Sequence, residues 1–198
     1  MRSLILTLIV GMFFSSSSFA ATTHWNIDPD HSVAGFKIKH MMISDVSGSF
    51  NDVQGTVIIN EDDMTLSTAA VTITAASIDT GIQKRDNHLK SADFFDVTNY
   101  PALIFTSKQV KDVSGDGFTL VGDLTIHGVT KEVELSVTEL TAEIKDPWGN
   151  IRKAAKATTK INRKDFGLTW NAALEAGGVL VGDEVRIELD VQFIKQAS

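Results

Sequence analysis

One stretch of the chain concentrates the groups that could do chemistry. Between Thr80 and Phe105 lie Arg85, Asp86, His88, Asp93, Phe94, Phe95, Asp96 and Tyr100. Asp93 and Asp96 have the residue types of a general acid–base pair, and Ser32 beside His31 has those of a nucleophile and its base. The simpler readings weigh more. Paired carboxylates around two phenylalanines are more often turn and capping groups. Adjacent residues on an extended chain point to opposite faces, which defeats proton transfer between His31 and Ser32. The histidines, His24, His31, His40, His88 and His127, stand in different segments without H-x-x-x-H spacing, and cysteine is absent. No metal site and no catalytic set are therefore expected. Arg85 and Asp86 fit two roles, contact with a polar ligand head or a structural ion pair tying a helix to the wall beside it. A buried charge needs a partner, so the ion pair is the expectation.

The elements that would position these groups are mostly strands. Apolar residues alternate with polar ones at Ala34–Phe36–Ile38–His40, at Gly55–Val57–Ile59 and at Ala69–Val71–Ile73–Ala75. The pattern resumes at Leu103–Phe105, Phe118–Leu120–Gly122–Leu124–Ile126, Val133–Leu135–Val137, Ala155–Ala157–Thr159–Ile161 and Val185–Ile187–Leu189–Val191–Phe193. A period of two over runs of this length reads as half-buried strand. Thr80–Phe105 breaks the pattern. Thr80 and Gln83 have the spacing of a capping box, which predicts a helix from Gly81 with Ile82 and Leu89 on its docking side. The result is an all-β protein of about eight one-faced strands with one short helical segment. A two-sheet sandwich is the alternative. An up-and-down antiparallel barrel is preferred because closure removes exposed edges. Small inward residues such as Gly55, Ala69, Gly122, Ala155 and Ala157 tilt the choice towards a barrel with a cavity.

The first twenty residues read differently. Arg2 supplies a basic start, Leu4 to Phe14 an apolar run, and Ser18-Phe19-Ala20 a small-x-small cleavage site. The run is too short for a spanning helix, which needs roughly 20 residues, so a signal peptide cleaved after Ala20 is expected rather than an anchor. Residues 21–198 would then form one exported domain. The chain has no cysteine, hence no disulfide and no lipidated cysteine, which mildly favours a bacterial envelope. Its net charge is −7, and loss of Arg2 makes it more negative still. That balance argues against nucleic acid or an anionic membrane surface as partner.

Several motifs occur in register. They are His31-Ser32 with Phe36 and His40; Ser77-Ile78-Asp79-Thr80-Gly81; and Arg85-Asp86-Asn87-His88-Leu89 with Ser91, Asp93-Phe94-Phe95-Asp96 and Tyr100-Pro101. Gly122 to Lys131, Asp146-Pro147-Trp148-Gly149 and Arg163 to Leu168 with Trp170-Asn171 follow. In that order and spacing the chain, from about His24 to Ile194, resembles the YceI-like family of polyisoprenoid-binding proteins. The resemblance implies a lipocalin-like extended barrel around an apolar tunnel, a periplasmic location and a bound isoprenoid lipid, with no other cofactor. It makes Phe36, Ile38, Phe50, Ile73, Leu89, Phe94, Phe95, Phe105, Leu120, Leu124, Val133, Leu135, Phe166 and Trp170 the expected ligand-contacting residues. Phe94 and Phe95 would plug or gate one end. A homodimer is compatible with this reading. The competing reading is a packed, ligand-free barrel that serves as an envelope interaction or stress-response module through its outer surface.

Overall fold

The computed structural model describes residues 22–115, 117–175 and 177–197; the leader and its cleavage site lie outside them. The strands are β1 Thr22–Ile27, β2 Val33–His40, β3 Ser44–Phe50, β4 Val53–Asn60, β5 Thr68–Thr74, β6 Ile78–Asp79, β7 Ala102–Ser114, β8 Gly117–Ile126, β9 Val129–Thr138, β10 Ile144–Lys145, β11 Ile151–Asn162 and β12 Val181–Lys195. The helix α1 spans Gln83–Lys90. All pairings are antiparallel. From β4 onwards most neighbours in the sheet are also neighbours in the chain.

Eight strands close the ring. The order β11-β9-β8-β7-β5-β4-β1-β12 returns to its start through a β11–β12 ladder. Strand β12 is long enough to take two partners along its other edge. Its end, Phe193 to Lys195, pairs with β1, and the stretch from Val181 to Asp190 pairs with β2. The β2–β3 hairpin thereby extends the barrel beyond the ring. Between β1 and β2 the chain turns at Pro29–His31. Asp28 caps this turn by accepting from the Asp30 N–H at 3.1 Å, and Pro29 starts it with its φ already set.

One end of the barrel is closed. Trp25 follows the inward alternation of β1 and is fully buried. Its indole N–H donates to Thr23 Oγ1 at 2.8 Å, and the ammonium groups of Lys153 and Lys195 each lie 5.4 Å from its ring centre. Beside it, Arg152 bridges Asp146 and Asp28. Its Nε donates to Asp146 Oδ2 at 2.7 Å and an Nη1–H donates to Asp28 Oδ2. Asp146 also accepts from the backbone N–H groups of Trp148 and Asn150. The tight turn Asp146-Pro147-Trp148-Gly149-Asn150 is thus built around one carboxylate, while Trp148 itself is exposed.

Two local expectations fail at the helix. It begins at Gln83 rather than Gly81, and no side chain caps it. Gly81 adopts a left-handed φ of 75° that the helix cannot include. The Thr80 hydroxyl, the predicted cap, instead donates to Asp86 Oδ1 at 2.5 Å. Gln83 donates to Asn87 Oδ1 instead of reaching back. With the start displaced, Ile82 falls outside the helical stripe and is 53% exposed. Leu89 alone of the predicted docking pair is packed against the core.

The Asp28–Arg152–Asp146 network carries a pH dependence. Arg152 holds Asp146 well below the usual carboxylate range. For Asp28, burial pushes upward, but hydrogen bonds from Arg152, His31 and Asp30 outweigh it and the net shift is down. Depressed carboxylates contribute stability above their unfolded pKa, about 4, and lose it as pH falls through the folded value. Arg152→Met is therefore expected to lower the denaturation midpoint at neutral pH and to converge with the wild type on acidification below about pH 4. A gap of constant size at low pH would assign the loss to packing instead.

Candidate functional site

The interior of the barrel is a cavity of about 220 Å³. Its wall comes from the inward row of nearly every strand. Val185, Ile187, Leu189, Val191 and Phe193 of β12 all face it, as do Val133, Leu135 and Val137 of β9. Strand β11 contributes Ala155, Ala157, Thr159 and Ile161, and β8 contributes Phe118, Leu120, Leu124 and Ile126. Among the described residues the one charged lining group is Arg163. Strand β7 needs a correction to keep its parity: a register shift between Ser107 and Gln109 brings Val110, not an odd-numbered residue, to the inside.

The small inward residues do not all leave space. A Cβ on Gly122 would lie 2.5 Å from the Phe105 ring, so that ring fills the room the glycine provides. Gly48 accommodates Phe36 in the same way. Ala155 and Ala157, by contrast, face the open cavity.

A second cavity of about 230 Å³ adjoins the first. Phe36, Phe95, Arg163, Leu168 and Val185 line both, so the two form a sequence of chambers with these residues at the waist. The second chamber lies at the β2–β3 end, bounded by Ile38, Lys39, His40, Val46, Leu180 and Val181, with Arg85, His88, Leu89 and Phe94 from the α1 segment and Trp170 from the loop before β12. An aromatic cluster forms part of its wall. The His88 ring lies edge-on to Phe94 at 5.0 Å and to Trp170 at 4.9 Å, and Phe94 and Trp170 are 5.1 Å apart.

The expected ligand-contacting residues divide between these spaces. Phe50, Ile73, Phe105, Leu120, Leu124, Val133 and Leu135 line the first chamber, Ile38, Leu89, Phe94 and Trp170 the second, and Phe36 and Phe95 both. Phe166 lines neither. It is 2% exposed within the core, because the helical turn Arg163–Phe166 ends the strand and breaks its alternation. Phe94 and Phe95, expected to plug or gate one end, both line the second chamber but at different places. Phe94 joins the aromatic wall, whereas Phe95 stands at the waist with its ring edge-on to Phe50 at 5.4 Å.

Arg85 and Asp86 do not form the expected ion pair. Both grip Thr80. The Thr80 N–H and hydroxyl donate to Asp86 Oδ1, while Arg85 donates from Nε to Thr80 Oγ1 at 2.7 Å and from Nη2 to Thr80 O at 2.8 Å. Thr80 follows β6, so this clasp fixes the helix to the strand it leaves. The reason is steric economy: side chains one apart on a helix diverge and cannot face each other, but both can converge on the chain entering below them. Asp93, considered above as an acid, accepts through Oδ2 from His88 Nε2–H at 2.9 Å on the surface. Among the described residues no group of three or more His, Asp or Glu side chains could hold a metal ion.

Arg163 lines both chambers and is not among the expected ligand-contacting residues. It is 3% exposed. Its Nε donates to Gly182 O at 2.8 Å, and Nη1 donates to Trp170 O at 2.9 Å and to Leu168 O. The nearest carboxylate oxygen, Asp183 Oδ1, is 3.7 Å away. Burial pushes this guanidinium down from its usual value, against the attraction of Asp183. The signal for it was present: the odd-numbered row of β11 that places Ala155, Ala157, Thr159 and Ile161 inside runs on to residue 163.

This is a closed antiparallel barrel with an apolar interior, an architecture suited to enclosing a small molecule. The YceI-like domain family matches residues 25–193, and the chain belongs to it. A UPF0312 protein of Pectobacterium atrosepticum is 39% identical over 166 residues, 84% of this chain and 85% of that protein. The Campylobacter jejuni YCEI protein superposes with a TM-score of 0.67 at 30% identity, covering 81% of this chain and 91% of that one. A polyisoprenoid binding domain from Saccharophagus degradans shares the fold with a TM-score of 0.61 at 16% identity, covering 87% and 98% of the two chains.

The clasp on Thr80 is open to a direct test. Asp86→Ala leaves the Thr80 N–H and hydroxyl without their buried acceptor and is expected to cost about 1–3 kcal/mol in urea denaturation.

Proposed function

We propose that the chain is an exported, periplasmic binding and carrier protein for a long isoprenoid or similar lipid held along the barrel interior. The observation that carries this reading is the first chamber, walled by inward rows of apolar side chains from nearly every strand of the ring. Each chamber alone is small, but in sequence they reach the roughly 300–1,000 Å³ typical of ligand sites. Membership of the YceI-like family and the shared fold of a polyisoprenoid binding domain support the same ligand class. The driving force is burial of apolar surface, roughly 25 cal/mol per Å² before the cost of ordering the tail. No catalytic role is proposed for Asp93 or Asp96. Among the described residues no helix is long and apolar enough to cross a membrane, and the leader carries the expectation of export.

Organic extraction of protein purified from an isoprenoid-producing host, followed by mass spectrometry, is expected to release one long-chain lipid in near-equal amount to protein. Delipidated protein is expected to rebind it. Protein that carries no lipid and binds none would overturn the reading. Leu124→Trp separates it from the packed-barrel alternative. With a free chamber in front of Leu124, the larger ring is expected to displace lipid while the fold persists. In a filled interior the same change overpacks the core and costs about 1–3 kcal/mol.

A further inference from the structure

We propose that the turn Met41-Met42-Ile43, between β2 and β3, docks this end of the barrel onto the surface of a zwitterionic lipid bilayer. Docking itself needs no ligand in the interior. That it serves exchange of a lipid between bilayer and interior rests on the carrier reading above.

The three residues are consecutive and apolar, and they are 41%, 61% and 81% exposed. Single exposed apolar side chains are ordinary, but a contiguous set at the tip of a hairpin is not. Turn chemistry does not account for them. Met41 and Met42 have φ of 51° and 63°, and the Ile43 N–H closes the turn on His40 O at 3.2 Å. A turn with positive φ at both central positions favours Asn and Gly, which adopt it at little cost. Two methionines strain the backbone there and have no core to enter. The turn also continues the wall of the second chamber. Ile38, Lys39 and His40 before it and Val46 after it line that chamber. The Met41 N–H donates to the carbonyl of Leu180, another lining residue, at 2.8 Å.

A bilayer is the occupant that this tip fits. Three consecutive side chains on a turn project in different directions, so they form no flat face for a folded partner, whereas a fluid apolar phase takes them all. Methionine, unbranched and flexible, suits such a phase. The charges agree. Asp45 is the one acid of the β2–β3 hairpin, and it is held by Lys39 at 3.1 Å and by Arg186 at 2.7 Å. No uncompensated carboxylate of the hairpin therefore meets lipid phosphates beside the tip. The chain as a whole carries −7, which opposes a net anionic surface. A zwitterionic surface satisfies both conditions. Trp148, the other conspicuous exposed ring, is remote. Its turn leads into β11, whose Arg152 pairs with Ile194, whereas the Met41 turn follows His40, which pairs with Val181 at the opposite end of β12.

The test is co-sedimentation of the purified protein with vesicles of phosphatidylcholine and phosphatidylethanolamine. The wild type is expected to bind them, with a partition that raising the salt to about 0.5 M leaves unchanged. Ile43→Ser is expected to weaken the partition about tenfold, through the apolar area no longer removed from water. Met41→Asn combined with Met42→Gly gives the turn its favoured residues. It is expected to lose binding to a similar degree while its urea midpoint holds or rises. Trp148→Ala is expected to bind as the wild type does. No binding by the wild type, binding that salt abolishes, or tip variants that bind unchanged would each overturn the docking. So would a loss confined to Trp148→Ala, or one that appears only with a lowered urea midpoint. Wild-type dimers that Ile43→Ser dissociates, with no vesicle binding, would assign the tip to a second copy of the chain instead. Lipid found by organic extraction is read separately. Failure of docking therefore leaves the carrier reading standing, and a docked protein that takes up no lipid from the vesicles removes the carrier reading alone.

Discussion

Closure of the barrel on the β11–β12 ladder is the constraint on which the rest of the structure depends. Arg152 to Asn162 run against Ile194 to Glu184 without interruption. On its other side β11 meets β9 through only three residue pairs, Lys156 to Thr158. The ladder with β12 therefore carries most of the closure. It also fixes which residues are inside. Side chains alternate with a period of two, so a slip of one residue would turn Ala155 and Ala157 outwards and bring Lys156 and Thr158 into an apolar interior. The cost of burying that lysine without a partner is what makes the register unique.

Given that register, the size of the interior follows from how rings and small residues are distributed. A barrel of eight strands is just wide enough to be filled by side chains or to hold one ligand. On the β7–β8 side the space is used up, with the Phe105 ring lying over Gly122. On the β11 side it is left open, because Ala155 and Ala157 present only methyl groups. The β2–β3 hairpin then lengthens the tube beyond the ring by pairing with the first half of β12. The α1 segment, clasped through Thr80, supplies Phe94, Phe95 and Leu89 to the interior at that end.

Much of this was legible in the sequence because strand parity is a strict local rule. The inward rows of β8, β9, β11 and β12 follow directly from alternation, and closure is preferred over a two-sheet sandwich because it removes exposed edges. What alternation could not supply lies where the period breaks. The Ser107–Gln109 shift in β7 leaves one mark, Val110 at an even position after Leu103 and Phe105, too little to define a change of register. The helix start was misplaced because Thr80-x-x-Gln83 satisfies a local capping rule that a tertiary contact overrides: the buried Asp86 carboxylate takes the threonine hydroxyl for itself. Phe166 was assigned to the cavity on its apolar character, but it sits in a helical turn after the strand ends. Arg163 was passed over for the opposite reason, since a charged residue is not sought in an apolar row even when parity puts it there.

The polar ends of the inward row of β11 give the barrel a direction. At one end Lys153 meets Glu61, Arg152 meets Asp28 and Asp146, and the buried Trp25 has two lysines over its ring. Every charge there is answered within the protein, and a ligand reaching that end would find only apolar side chains in front of it. At the other end Arg163 and Arg85 hold carbonyls and a hydroxyl, and the nearest carboxylate to Arg163 stands at 3.7 Å. The two ends of the row therefore differ in how the protein compensates their cations: Lys153 by a direct contact with Glu61 at 2.8 Å, Arg163 by backbone carbonyls with Asp183 at 3.7 Å.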